Sequence, residues 1–306
     1  MKSGSKLEQV LSAGRFAVTA ELGPPKGADP RVIIDKAKLL KGSADAVNIT
    51  DNQTAIARMC SMAAAKLVVE QGLEPIMQMT CRDRNRLAIQ ADILGAAALG
   101  VKNLLCLTGD HQSFGNHREA VGVFDLDSVM LIGMVKNMRD EGIFQNGEEL
   151  TAPPKLFIGA AANPYADPFP FRAIRLAKKV DAGLDFVQTQ IIYNVEKFEQ
   201  FMAQCRELGV TERCKILAGV APLKSAGMAK YMKNRVAGMD VPDTVVERMG
   251  AAEDSQSEGI DICVEIIDRV RRVEGVAGVH IMAVEWEEAV PEILSRAGLR
   301  PGSAEA

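Results

Sequence analysis

Apolar and polar positions follow one repeating order along this chain: a short apolar run, a longer stretch with helical spacing, then a turn. After a short helix over 6–13, the first run (Phe16-Ala17-Val18-Thr19-Ala20-Glu21-Leu22) reads as a strand stopped by Gly23-Pro24-Pro25. Further strands read at 46–50, 75–80, 103–107, 156–161, 185–190, 215–222 and 278–283. Between them the 3.6-residue spacing predicts helices over about 29–41, 59–70, 84–99, 127–139, 171–182, 195–207, 226–235 and 255–273, with a last one at 287–297. Gly100 and Gly183 stand where helix C-caps belong. Two stretches break the rhythm. Residues 110–124 carry two of the three histidines and little periodicity, and read as a long loop of the kind that often serves function. An insertion at about 238–254 holds a short extra helix, and 300–306 is a polar tail.

The strands are short apolar runs, which suits parallel strands buried on both faces. Eight of them, each followed by a helix, predict an α/β fold: one single (β/α)8 TIM barrel over 1–306. A doubly wound sheet would require a glycine-rich dinucleotide fingerprint after the first strand, and Gly23-Pro24-Pro25 is not one.

Composition narrows the function. Apolar residues make up 47% and charged residues 25%, enough for a sizeable core. A net charge of −4 argues against nucleic acid as partner, and 5% aromatics argue against base-stacking platforms. No apolar run reaches membrane-spanning length and no signal core follows Met1-Lys2-Ser3, so a cytoplasmic protein without membrane insertion is expected. Six cysteines without a CxxC pair read as buried reduced thiols, and no metal site is expected.

The chemistry of a TIM barrel sits at the C-terminal ends of its strands. Here those ends carry Glu21, Thr50, Gln78, Thr80, Thr108-Gly109-Asp110, Asn163, Gln190, Lys224 and Glu285. Carboxylates, amides and hydroxyls with few cations suit an uncharged heterocycle better than a sugar phosphate. Glu21 follows an apolar strand, where desolvation raises a carboxyl pKa toward the range of a general acid. His280 reads as a satisfied core histidine, and Lys178-Lys179 as one solvated and one inward side chain.

The ordered strand ends resemble the methylenetetrahydrofolate reductase family. Ala20-Glu21-Leu22-Gly23-Pro24-Pro25 is similar to its Glu-x-x-Pro-Pro opening. Val47-Asn48-Ile49-Thr50, Met79-Thr80-Cys81, Thr108-Gly109-Asp110, Ala162-Asn163-Pro164, Lys179-Val180-Asp181-Ala182-Gly183, Thr189-Gln190 and Gly219-Val220-Ala221-Pro222 follow in the family's order. The resemblance implies a flavin oxidoreductase of one-carbon metabolism and methionine biosynthesis, reducing 5,10-methylenetetrahydrofolate to 5-methyltetrahydrofolate. It implies Glu21 as general acid, with Asp110 catalytic and, like Gln190, contacting the pterin. It places Thr50, Gln78, Thr108, Gly109, Asp110, Asn163, Asp167 and Lys179 against the flavin, FAD by family default and FMN as the alternative. Thr108 stands where many bacterial members have Arg, leaving Lys179 as the clearest phosphate partner. Asp51-Asn52-Gln53-Thr54 and Thr108-Gly109-Asp110-His111 look like the divergent branch found in anaerobes. That likeness implies an oligomer or hetero-complex, with electrons from NAD(P)H or from a relay subunit, the branch's partners being iron–sulfur or zinc-containing. Two other readings compete: a Schiff-base lyase or aldolase using Lys224, and a flavin-free folate-binding subunit of a larger complex.

Overall fold

The computed structural model describes residues 1–236 and 238–301; most of the polar tail, 302–306, lies outside the described residues. Helix α1 (Lys6–Ser12) precedes β1 (Ala17–Leu22). Then come α2 (Arg31–Leu40), β2 (Ala46–Ile49), α3 (Ser61–Glu70), β3 (Pro75–Thr80), α4 (Arg86–Ala98), β4 (Asn103–Leu107), α5 (Ser128–Asp140), β5 (Phe157–Ala162), α6 (Phe171–Asp181), β6 (Phe186–Ile191), α7 (Val195–Glu207), the short α8 (Val210–Arg213), β7 (Lys215–Val220), α9 (Ala226–Arg235), α10 (Asp243–Ala251), α11 (Ser255–Val270), β8 (Val276–Ile281) and α12 (Ala289–Arg296). The strands pair in chain order, all parallel, and β8 returns to β1, closing one barrel as the spacing predicts. The inserted helix of the 238–254 segment is α10. Six strands, all but β3 and β4, differ by one or two residues from their expected bounds, and α8 is a single turn that the apolar pattern does not announce.

Alternation along each strand divides the interior. Outward-facing Val18, Val47, Met77, Leu104, Ile158, Val187, Ile216 and Val279 join the helices in one large outer core. Inward-facing Ala17, Ala46, Ile76, Leu105, Phe157, Phe186 and Leu217 fill the lower barrel. Leu7, Val10 and Leu11 of α1 pack on that lower layer, so the first helix plugs the barrel floor. The chain ahead of α1 folds around Glu8. This carboxylate accepts the backbone N–H groups of Lys2, Ser3 (2.8 Å) and Gly4 (2.8 Å) and the Ser3 hydroxyl (2.9 Å). Burial pushes the Glu8 pKa up, but these hydrogen bonds outweigh it and hold the group below its ordinary value.

The lower layer is tight at β5. The Phe157 and Phe186 rings stack at 5.1 Å, and a Cβ added to Gly159 would lie 2.2 Å from the Phe186 ring. Only hydrogen fits there. Gly159→Ala should therefore cost about 1–3 kcal/mol through overpacking, read as a lower urea midpoint with an unchanged slope.

Candidate active site

Above the apolar floor the inward positions turn polar. Thr19, Asn48, Gln188 and His280 are all buried, two residues further along their strands than the apolar layer. Their carboxamides pair reciprocally: Asn48 Nδ2 donates to Gln188 Oε1 (2.6 Å) and Gln188 Nε2 to Asn48 Oδ1 (3.0 Å). Gln188 Nε2 also donates to Thr19 Oγ1 (3.2 Å), whose hydroxyl donates to the Val279 carbonyl (3.3 Å). Thr19 Oγ1 then accepts from His280 Nδ1 (3.1 Å), which leaves His280 Nε2 to accept from Asn48 Nδ2 at 3.4 Å. The imidazole is thus a neutral tautomer, and burial pushes its pKa down to about 3. His280 is the satisfied core histidine expected from sequence. The polar layer itself is not marked by strand ends. Its signal is a polar residue inside an apolar run, one to three positions before the strand's last residue.

A cavity of about 340 Å³ opens on this layer at the C-terminal mouth. It brings together Glu21, Gln78, Asn163, Lys179 and Gln190 from the expected set, with Asn48, Gln188 and His280 in its lining. Glu21 is partly buried near the end of β1. Burial, and then the negative charge of Glu287, push its pKa up to about 7, against a Gln53 hydrogen bond and the charges of Lys36 and Arg58. Gln190 Oε1 accepts from the Ile191 N–H (3.0 Å), leaving the amide NH2 for a ligand. Asn163 Oδ1 caps the turn to Tyr165 and Ala166 (2.9 and 3.2 Å).

Helix α6 follows β5, which stands opposite β1 in the barrel. Arg172, Arg175, Leu176 and Lys179 recur on one helical face and line the cavity. Lys179 is buried and donates to the Ala161 carbonyl (2.7 Å), while Lys178 is exposed. Burial and then the charge of Arg175 push the Lys179 pKa down to about 8. Arg172 and Arg175 are site residues that strand-end reasoning misses. Their spacing to Lys179 on an amphipathic helix carries the signal.

The other expected residues lie around this cavity, outside its lining. Thr50 is buried, and its Oγ1 has no hydrogen-bond partner among the described residues. Thr108 Oγ1 accepts from the Ser128 N–H (3.1 Å), at the start of α5. Gly109 has φ +93°, and a Cβ there would lie 3.0 Å from the Arg82 side chain and 3.1 Å from Thr80. Asp110 is exposed on the rim. Buried Arg82 donates to the carbonyls of Asp110 (3.2 Å) and Asn52 (3.2 Å), tying the loops after β4 and β2 together. Asp167 is exposed, precedes a cis proline bond, and its carbonyl accepts from Arg172 (2.5 Å). Lys224 donates to the Glu285 carbonyl (2.8 Å) and does not line the cavity. Cys60 is exposed; the other five cysteines are buried, as expected. No described helix is long and apolar enough to cross a membrane.

Known proteins share this architecture. The chain is 28% identical over 256 residues to methylenetetrahydrofolate reductase 2 of Schizosaccharomyces pombe, an alignment spanning 78% of this chain and 38% of that protein. It thus spans well under half of the fission-yeast protein's length. Identity to the 5,10-methylenetetrahydrofolate reductase of Salmonella typhimurium is 23% over 298 residues, covering 94% of this chain and 93% of the other. A solved Clostridium thermocellum protein that binds two copies of 5-methyl-5,6,7,8-tetrahydrofolic acid has the same fold, with TM-score 0.64 at 15% identity over 95% of this chain and 97% of that one. The family model described as methylenetetrahydrofolate reductase matches residues 6–298, so the chain belongs to the methylenetetrahydrofolate reductase family.

Proposed function

We propose that this protein reduces 5,10-methylenetetrahydrofolate to 5-methyltetrahydrofolate, using a bound flavin and Glu21 as the general acid. The observation that carries this reading is the place of Glu21. This partly buried carboxyl near the end of β1 faces a cavity whose floor is neutral, and burial and Glu287 raise its pKa to about 7. It holds a proton near neutral pH and can give it up at small cost, the property a general acid requires.

The substrate is a five-membered ring fused to a reduced pterin. Proton transfer from the Glu21 carboxyl to the ring nitrogen remote from the pterin breaks that nitrogen's bond to the methylene carbon. An iminium remains on the pterin nitrogen. A hydride then adds to the methylene carbon and completes the methyl group, so one proton and one hydride enter per turnover. The Gln190 NH2 supplies a donor to the pterin, and the Asp110 carboxylate at the rim suits its amino-pyrimidine edge and opposes the positive charge of the iminium.

The residues present fit a flavin. When bound, a flavin would supply the hydride, drawn from NAD(P)H or a relay subunit. Arg172, Arg175 and Lys179 would hold its phosphates on one face of α6. The unpartnered Thr50 Oγ1, Gln78, Asn163 and the close-packed backbone at Thr108-Gly109 offer polar contacts around the mouth. Asp167, which accepts from Arg172, would fix that guanidinium. The Schiff-base reading finds no support at Lys224, whose amine is bound to a backbone carbonyl away from the cavity.

Three measurements test the proposal. Purified protein should show flavin absorbance, and Glu21→Gln should keep that spectrum while folate reduction falls about 10²–10⁴-fold; near-normal turnover in this variant would remove Glu21 from the mechanism. The sign of the pH dependence follows from the raised pKa. The acid must be protonated, so folate reduction should decline as pH rises through about 7, whereas a decline only above pH 9 would point to another donor. Lys179→Met should weaken flavin retention at least tenfold on dilution without moving that pH limb, and unchanged retention would place the phosphates elsewhere.

A further inference from the structure

Glu21 forms part of the wall between two cavities. The front one is the mouth described above. The rear one, about 290 Å³, also includes Lys36, Gln53, Arg58, Glu285 and Glu287 in its lining. The barrel's closure creates it. β8 is hydrogen-bonded to β1, with Ile281 beside Ala20, so the turn after β8 must pass next to the end of β1. That turn carries Glu287, 5% exposed and ion-paired with Lys36 of α2. Lys36 in turn is three-quarters buried, so the pair is shielded from bulk solvent and less screened than a surface pair.

Three charged groups of the rear cavity act on Glu21. Lys36 from α2 and Arg58 from the loop after β2 favour the carboxylate, as does the Gln53 hydrogen bond. Burial opposes it most, and the charge of Glu287 comes next. Arg58 donates to the Pro24 carbonyl (3.1 Å), which directs part of its guanidinium to the backbone. Glu285 is exposed, and His280, on the front side, is neutral. Glu287 is therefore the buried acidic partner of Glu21, and it arrives from a different element with its own counter-ion.

We infer that Glu287, anchored by Lys36 in the rear cavity, is a positioning residue for Glu21: its fixed negative charge keeps the acid loaded with a proton between turnovers. The inference rests on Glu21 as the acid of the proposed reaction. Each turnover removes one proton from Glu21, and a proton from water must replace it before the next. A negative neighbour favours that reloading at neutral pH. The Lys36 pair holds the neighbour in place and partly offsets it, so that Glu21 can still release its proton.

The test compares the wild type, Glu287→Gln and Glu287→Asp, each with its Glu21→Gln counterpart, by two readouts. The first needs no turnover. A raised carboxyl pKa contributes stability below the unfolded value and loses it as pH rises through the folded value, so each protein should fall behind its Glu21→Gln counterpart in thermal midpoint across that window. The second is the pH profile of folate reduction. In Glu287→Gln both transitions should move down by roughly one pH unit, giving about a tenfold loss of kcat at pH 8 with flavin spectrum and folate KM nearly unchanged. Glu287→Asp, which keeps the charge, should restore most of the shift. Coincident titrations in wild type and Glu287→Gln overturn the inference, whatever Glu21→Gln does to activity. A shifted stability titration in a protein without folate turnover supports the coupling and overturns only the folate assignment.

Discussion

Closing eight parallel strands into a barrel forces alternate side chains into a space without bulk water, and every polar atom placed there needs a partner. The Thr19–Asn48–Gln188–His280 layer meets that demand with neutral groups alone. Below it the interior is apolar and sealed by α1; above it lies the cavity. A charged group in this layer would have carried a heavy desolvation cost. Its presence would also have set the electrostatics of the mouth. A neutral, hydrogen-bonded floor leaves the mouth to be governed by its walls.

Those walls separate charge. The acid side is built on β1, the turn after β8 and α2, and the basic side on α6 across the barrel. Burial acts in opposite directions on the two. It raises the carboxyl of Glu21 and lowers the amine of Lys179, so both ionisations are drawn toward neutrality. A ligand with an anionic end and an uncharged, protonatable ring would meet a suitable group at each end. For the proposed flavin and folate this segregation keeps the phosphate-binding cations away from the acid, whose proton they would otherwise help to expel.

Most of the fold was legible because its signal is repetitive. Eight apolar runs at regular intervals leave few closed arrangements, and β3, β4, α7 and α9 begin and end where the pattern places them. Glu21, Gln78, Asn163 and Gln190 were legible for a related reason: the strand-end rule is geometric. The rule fails where a helix supplies the site. Nothing in the strand-end pattern points to Arg172 and Arg175, which enter the site only because α6 lies against the mouth. It fails again where the partner lies in the turn after another strand. Glu287 follows β8 by several residues, and only the β8–β1 pairing brings it to the first strand. Asn48 and Gln188 were hidden differently, since a single polar residue in an apolar run does not reveal which face of the strand it occupies.

If the proposed flavin binds here, Thr108 leaves its phosphates to cations elsewhere in the mouth. Thr108 caps the start of α5, and a Cβ at the neighbouring Gly109 would crowd Arg82 and Thr80. Arg82, buried below, pairs its charge with Asp83 and donates to backbone carbonyls of the loops after β2 and β4, so it holds the loops together. The positive charge available to an anion therefore lies on α6. There Lys179 is already desolvated and donates to the Ala161 carbonyl. The cost of removing that amine from water has been met in folding, and an arriving phosphate would gain its attraction without meeting it again. In the proposed flavin complex, one preorganised buried lysine, flanked by two arginines one and two turns earlier on the same helix face, would take the place of an arginine on the strand-end loop.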